Sequence, residues 1–532
     1  MNYIIAHDLG TSGNKATLYD ERGSLVASST RCYGTTTLRP GYVEQDPEAW
    51  WSAVISSTKA LLESSRVAPS AIACVTFSGQ MMGCLPVDAD GKALRPSIIW
   101  ADMRSELQAK QLAGAIPPRD FYAIAGHRPV SSYSLTKLMW IRDNEPEVFA
   151  KTAKVLQAKD FIVHKLTGIF ATDYSDASGT NAFDLEKKEW SGRILEAAGI
   201  GADLFPDAHP SSAIVGHVTP EAARLTGLAA GTPVVIGGGD GSCAAVGAGV
   251  VRNGKAYNVL GSSSWIAFAT DNPVYDPEMR TFNWIHLDQK KYTPCGTMQS
   301  AGFSVDWLKK TLGDDETSIE NSGGASALEQ MNAAAMRAPC GSKDLLFLPY
   351  LMGERSPRWD AAAKGAFIGL TAKHGKAEIF RSVFEGVAFN LKTILGSLES
   401  ASLETTLLKA ALPLATAQKA ATPIDEIILI GGGAKSRVWQ RILADVWEKP
   451  VAIPKYLDEA TSLGAAVAGG VGVGMFADFS VAEGFNPIAC RVEPDEKNAA
   501  VYRRLYPLFE ESYACLKNLC GKLGNQETRG TA

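Results

Sequence analysis

Tyr3-Ile4-Ile5-Ala6-His7-Asp8-Leu9-Gly10-Thr11-Ser12-Gly13-Asn14-Lys15-Ala16-Thr17-Leu18-Tyr19 opens the chain with three structural cues. An apolar strand runs from Tyr3 to Ala6, a Gly/hydroxyl turn spans Gly10–Gly13, and a second strand returns over Lys15–Tyr19. The same grammar recurs midway. Ala256–Leu260 leads into Gly261-Ser262-Ser263-Ser264, and Trp265–Ala269 runs back out. Two copies of one strand-turn-strand unit predict two similar lobes, residues 1–250 and 251–532.

Working outward, Gly237-Gly238-Gly239-Asp240-Gly241 follows the short apolar run Pro233–Ile236, and Gly431-Gly432-Gly433 follows Ile427–Ile430. A buried strand, a Gly turn and then a helical pattern is the unit of a sheet with helices on its faces. Such sheets hold ligands beyond the carboxyl ends of their strands, where these turns lie. After Gly433 the spacing of Val438, Trp439, Ile442, Leu443 and Val446 predicts one apolar helix face. Asp46-Pro47 predicts a capped helix start, with Trp50, Val54, Leu61 and Leu62 facing inward. Residues 399–422, rich in Ala, Thr and Leu, read as an inserted helical hairpin, and the polar tail from about Gly521 as a frayed end.

Composition narrows the function classes. A chain of 532 residues with 46% hydrophobic and 20% charged residues can bury large cores, enough for about three to four ordinary domains or two large ones. Its net charge of -5, with no Lys/Arg run, argues against a nucleic-acid partner. The longest apolar stretch, Gly464–Phe476, falls short of the roughly 20 residues a membrane helix needs. No positive n-region precedes an apolar h-region, and nine scattered cysteines form no C-x-x-C pair. The expectation is a reduced, cytoplasmic protein.

Several chemistries lack their residues. Every Gly-Lys pair is followed by Ala or Leu, so there is no P-loop. No G-x-S-x-G elbow, H-E-x-x-H pair or complete G-x-G-x-x-G is present. What remains is two Gly/hydroxyl turns and two Asp residues beside glycines. Turn N–H groups with the Thr11, Ser12, Ser262 and Ser263 hydroxyls can form a nest for phosphates. Asp8, at a strand end, suits Mg²⁺ held through water, since Mg²⁺ takes one or two carboxylates plus phosphate oxygens. Asp240, between a strand end and a helix start, could accept a proton from a substrate hydroxyl. On spacing alone, an Asp beside a Gly turn is more often a turn or cap residue than a catalyst.

The stretch Ser132–Asn144 (SYSLTKLMWIRDN with its leading Ser) and the stretch Gly365–Leu370 with Glu378, Ile379, Ser382, Val383, Phe384 and Glu385 then add a family. They resemble the two signatures of the FGGY carbohydrate kinases, within the actin, Hsp70 and hexokinase ATPase superfamily. The resemblance implies an α/β protein of two ribonuclease H-like (actin-like ATPase) lobes. Each would be a mixed five-stranded sheet flanked by helices, with a cleft between. It implies a sugar-binding first lobe, an ATP-binding second lobe, a small sugar substrate and Mg²⁺, and is compatible with a homodimer. Asp240 would be the general base and Asp8 would support Mg²⁺ and the phosphates, with both as candidate metal ligands. Gly261, Ser262, Ser263, Gly302, Gly432, Gly433 and Ser436 would contact ATP, alongside Thr11 and Ser12. Gln80, Met81, Met82 and Asp102 would line the sugar site, by likeness to the loops of the xylulokinase branch. The resemblance implies transfer of phosphate to a terminal hydroxyl of a ketopentose such as D-xylulose. Because that branch typically carries His at Met82 and Asn at Gly241, another pentulose, a tetrulose, a polyol or a sugar acid is the alternative. A nucleotide-dependent switch without a sugar acceptor is the alternative from another class.

Overall fold

The computed structural model describes residues 2–410 and 423–527. Its first sheet grows from the opening segment. Strands β1 (Tyr3–Leu9) and β2 (Gly13–Asp20) pair antiparallel with Leu9 opposite Asn14, and β3 (Leu25–Cys32) extends the meander. The Gly10 N–H donates to the Gly13 carbonyl at 3.0 Å and closes the turn. Helix α1 (Pro47–Ser65) follows, its N-cap Asp46 accepting from the Glu48 N–H, with Trp50, Val54 and Leu61 buried and Leu62 partly so. It returns the chain to β4 (Ile72–Gly79), parallel to β1. Strands β5 (Ile214–His217), β6 (Pro233–Val235) and β7 (Gly238–Gly239) complete an order of β5-β6-β4-β1-β2-β3, with β7 beside β4. Strand β1 is apolar on both faces because helices cover both, as a central parallel strand requires.

The second half repeats this plan. Helix α2 (Asp240–Gly247) leads to β8 (Ala256–Leu260) and β9 (Ser264–Phe268), paired with Leu260 opposite Ser264, and here the Gly261 N–H donates to the Ser263 carbonyl at 3.0 Å. Then come β10 (Phe282–Ile285), β11 (Tyr292–Met298), α3 (Gly302–Leu312), α4 (Lys376–Ala410), β12 (Ile427–Ile430) and α5 (Arg437–Trp447). Strand β13 (Val451–Pro454), α6 (Ala460–Gly472), β14 (Ile488–Val492) and α7 (Glu496–Glu527) follow. The order is β10-β11-β9-β8-β12-β13-β14. Counted from the centre, β8, β9, β11, β12, β13 and β14 match β1, β2, β3, β4, β6 and β5 in position and direction. Helix α5 buries Val438, Trp439, Ile442, Leu443 and Val446, as their spacing predicts, each worth about 1.5–3 kcal/mol against exposure.

Three expectations are corrected. Each sheet has seven strands, not five. The five central strands are present, but short antiparallel strands extend the edges, and Gly237 (φ +68°) breaks one strand into β6 and β7. Residues 399–410 do not turn back as a hairpin; they continue α4, and 411–422 lie outside the described residues. The tail does not fray at Gly521, because α7 runs through it to Glu527.

The halves join through two helices that occupy equivalent places, α2 and α6. They cross at backbone contact: a Cβ on Gly247 would lie 1.6 Å from the Ala460 carbonyl oxygen, and one on Gly464 would lie 1.9 Å from that of Cys243. Helix α6 also lies on the first sheet, where Leu463 and Val467 pack with Ile4, Ala6 and Cys74. The apolar stretch from Gly464 is therefore a buried joint. Among the described residues no helix is long and apolar enough to cross a membrane.

Candidate active site

Strand register brings the two singled-out aspartates together. Across β4, Ser78 stands opposite Asp8 on one side and Gly238 on the other, and Asp240 follows two residues later at the start of α2. The Ser78 hydroxyl donates to Asp8 Oδ1 at 3.0 Å, and the Gly241 N–H donates to Asp240 Oδ1 at 2.8 Å. Neither Oδ2 has a partner among the described residues. Burial pushes Asp8 up to about 6, against the pull of the Ser78 hydroxyl and the Lys15 charge. Burial and then the Asp8 charge push Asp240 up to about 7, while the Gly241 N–H works the other way. The site therefore holds a carboxylate whose proton affinity suits a base near neutral pH. Two partly buried carboxylates with spare oxygens, Asp8 eased by the Ser78 hydroxyl and Lys15 and Asp240 by the Gly241 N–H, also fit Mg²⁺, which accepts one or two carboxylates and keeps waters. Among the described residues no cage of three or more His, Cys, Asp or Glu exists, and such a cation needs none.

The residues assigned to ATP assemble around Leu260. The Ser262 carbonyl accepts the N–H groups of Ala301 and Phe303, and the Gly302 N–H donates to the Gly261 carbonyl at 2.9 Å. Gly302 must be glycine, since a Cβ would lie 2.6 Å from that carbonyl oxygen. Gly433 packs on Leu260 so closely that a Cβ would lie 2.5 Å from its Cγ, whereas Gly432 faces open space. Ser436 caps α5, its Oγ accepting from the Trp439 N–H, and donates to Asn332 Oδ1 at 2.5 Å. The first turn is held just as firmly. Thr11 accepts from the Trp100 indole through Oγ1 (2.9 Å) and from Gln45 through its carbonyl (2.6 Å), and the Ser12 carbonyl accepts the Tyr33 N–H. Lys15 Nζ bonds the Asp458 carbonyl and Lys435 Nζ the Asp458 carboxylate, which ties the two turns' surroundings together.

On the sugar side the assignments divide. Gln80 is buried beside the first turn, its Nε2 donating to Gln45 Oε1 at 2.8 Å while its own Oε1 has no partner among the described residues. Met81 is buried against the turn before Asp240, with its Sδ 2.6 Å from where a Gly239 Cβ would stand. Met82 adopts φ +64°, and its carbonyl accepts Lys137 Nζ at 2.8 Å. The fully buried Lys137 also holds the Ile99 and Ser132 carbonyls, so the first signature's lysine clamps three loops at once. Burial lowers it to about 7, against the Asp102 charge.

Asp102 is engaged within the protein. It is fully buried, Oδ1 accepts from the Arg104 N–H and Nε, and Oδ2 accepts from Val43 N–H and Arg104 Nη2. Its carboxylate holds Arg104 and the Val43 N–H.

Sequence reasoning missed Trp284. Its ring, 5% exposed, lies over Gly241, where a Cβ would be 2.5 Å from Cζ3. This explains the glycine after Asp240: a ring from the second lobe occupies the side-chain space. Nothing in local sequence could announce a contact across 43 positions.

The N-terminal domain of the FGGY family of carbohydrate kinases matches residues 3–247, and its C-terminal domain matches 256–473. Xylulose kinase of Bacillus subtilis (strain 168) is 31% identical over 520 residues, 98% of either chain. The crystal structure of gluconate kinase from Lactobacillus acidophilus superposes with TM-score 0.88 at 27% identity, covering 98% of this chain and 99% of that one. Ligand-bound xylulose kinase from the same organism gives TM-score 0.87 at 27% identity, covering 98% and 100%. The reading as a nucleotide switch without an acceptor finds no support in these relatives. The chain belongs to the FGGY family of carbohydrate kinases, a phosphotransferase acting on a sugar hydroxyl.

Proposed function

We propose that the protein transfers the γ-phosphoryl group of ATP to a terminal hydroxyl of a small sugar, with D-xylulose or a near ketopentose as the leading substrate. The observation that carries the reading is the Asp240 carboxylate, raised toward neutrality and set at the turn beside Asp8. Asp240 Oδ2 takes the proton of the attacking hydroxyl as its oxygen bonds to the γ-phosphorus, and the bond to the ADP oxygen breaks. The N–H groups and hydroxyls at Thr11, Ser12, Ser262 and Ser263 face the phosphates. Gly302, Gly432, Gly433 and Ser436 shape the nucleotide's place, and Gln80 with Met81 and Met82 the sugar's. Asp8 and Asp240 would hold Mg²⁺, which when bound neutralises charge on the phosphates. Closure about the α2–α6 joint would exclude water from the pair of substrates.

Likeness to xylulose kinase supports the ketopentose, and likeness to gluconate kinase supports a sugar acid as the second candidate. Product analysis decides between them. Phosphorus NMR after incubation with ATP, Mg²⁺ and each sugar should give a terminal phosphomonoester from D-xylulose. Turnover of D-gluconate at a kcat/KM more than tenfold that of D-xylulose would replace the ketopentose with the acid.

A further inference from the structure

Three consecutive glycines precede Asp240, and other atoms fill the side-chain space of each. A Cβ would lie 1.8 Å from the Phe77 carbonyl oxygen at Gly237, 2.8 Å from Ser175 Oγ at Gly238, and 2.6 Å from Met81 Sδ at Gly239. Such a turn has no side chains with which to anchor itself, so its hold comes from outside. The Gly239 N–H donates to Ser175 Oγ at 2.9 Å. The Ser175 hydroxyl lies 2.5 Å from Asp173 Oδ2. With a lone pair of Oγ engaged by Gly239 and a carboxylate that only accepts, the hydroxyl proton must point to Asp173.

Asp173 is itself held firmly. Its Oδ2 also receives the Ser211 hydroxyl at 2.8 Å and the Ser175 N–H at 2.8 Å, and its Oδ1 lies 3.0 Å from Lys159 Nζ. Lys159 is fully buried, and its ammonium also meets Asp160 at 2.7 Å and Asp176 at 3.1 Å. A buried charge network of this kind is costly to build and rigid once satisfied. It reaches the glycine turn through the Ser175 hydroxyl, which takes the Gly239 N–H nearest Asp240, and through Ser211, whose carbonyl accepts the Gly237 N–H.

We propose that Ser175 is a positioning residue for Asp240: its hydroxyl, oriented by Asp173 and Lys159, holds the Gly239 N–H and so fixes where α2 presents the base. This rests on Asp240 being the base. A misplacement of about 1 Å at a reacting group can cost on the order of 100-fold in rate.

The test is a four-enzyme cycle of wild type, Ser175→Ala, Asp240→Asn and the double variant, with kcat and both KM values measured for each. Ser175→Ala should lower kcat by roughly 10- to 100-fold with KM for sugar and ATP within about twofold. On the Asp240→Asn background it should cost nothing further, because there is no base left to misplace. Ser175→Cys, nearly the same size but a weak acceptor, should lose kcat with the Ala variant, which separates the lost hydrogen bond from a cavity. A Ser175→Ala enzyme within twofold of wild-type kcat overturns the proposal. So does the same fold-loss on both backgrounds, which is what a purely structural role gives. Wild-type kcat in Asp240→Asn alone overturns the base assignment, and is read without reference to Ser175.

Discussion

Replacing Asp240 with Asn should make the protein slower and more stable at once. In the folded chain burial and the Asp8 charge raise Asp240 from its usual 3.8 to about 7. At 1.36 kcal/mol per unit, a shift of that size means the ionised carboxylate costs the nucleotide- and metal-free protein up to about 4 kcal/mol above pH 8. A carboxyl with a raised folded pKa contributes stability that is full below its unfolded pKa, near 4, and is lost as pH climbs through 7. Asn carries no charge at any pH, so the variant escapes that loss. Melting followed by calorimetry in EDTA should show the two proteins converging toward pH 4–5. At pH 8 Asp240→Asn should melt higher by up to about 8–16 °C, at roughly 2–4 °C per kcal/mol for lobes of this size. Its kcat on the best sugar should fall by about 10²–10⁴. A variant that melts at or below wild type at pH 8, or keeps more than half the activity, would refute the reasoning.

Other substitutions probe the rest of the site. Asp8→Ala should lower kcat and shift the Mg²⁺ dependence to higher concentration; a rise in sugar KM alone, with normal Mg²⁺ response, would contradict its place beside the phosphates. Met82→His should raise kcat/KM for D-xylulose by up to about tenfold if one hydrogen bond of about 1 kcal/mol is gained, and His tolerates the left-handed backbone there. Gly241→Asn, in contrast, should lower both melting temperature and kcat, because its Cβ would stand 2.5 Å from the Trp284 ring. Adding Trp284→Leu should restore part of the loss, and a fully active Gly241→Asn single variant would show that the ring yields.

The sequence carries the fold well wherever a local pattern sets it. The hairpins at Gly10–Gly13 and Gly261–Ser264 are legible because a Gly/hydroxyl turn between apolar runs has few other uses. Helix α5 is legible because its apolar residues recur at helical spacing. The edge strands are not, since β5 and β14 carry polar residues such as His217 and Arg491 and take their pairing from neighbours. Residues 399–410 mislead because their Ala, Thr and Leu suit a separate helix as well as the end of a long one. At the site, Asp8 and Asp240 are legible beside their glycines. The hold of Arg104 on Asp102 is not, because composition does not show which partners a buried carboxylate takes. Trp284 and Ser175 act on the Asp240 turn from distant segments, and only the assembled sheets bring them there.

The most direct measurement is ADP release from ATP and Mg²⁺ across ketoses, polyols and sugar acids, for wild type beside Asp240→Asn. At least one sugar should raise the wild-type rate far above its sugar-free level, and that rise should disappear in the variant although ATP still binds. Equal ADP release with and without every sugar, in wild type saturated with nucleotide, would contradict a sugar hydroxyl as the acceptor.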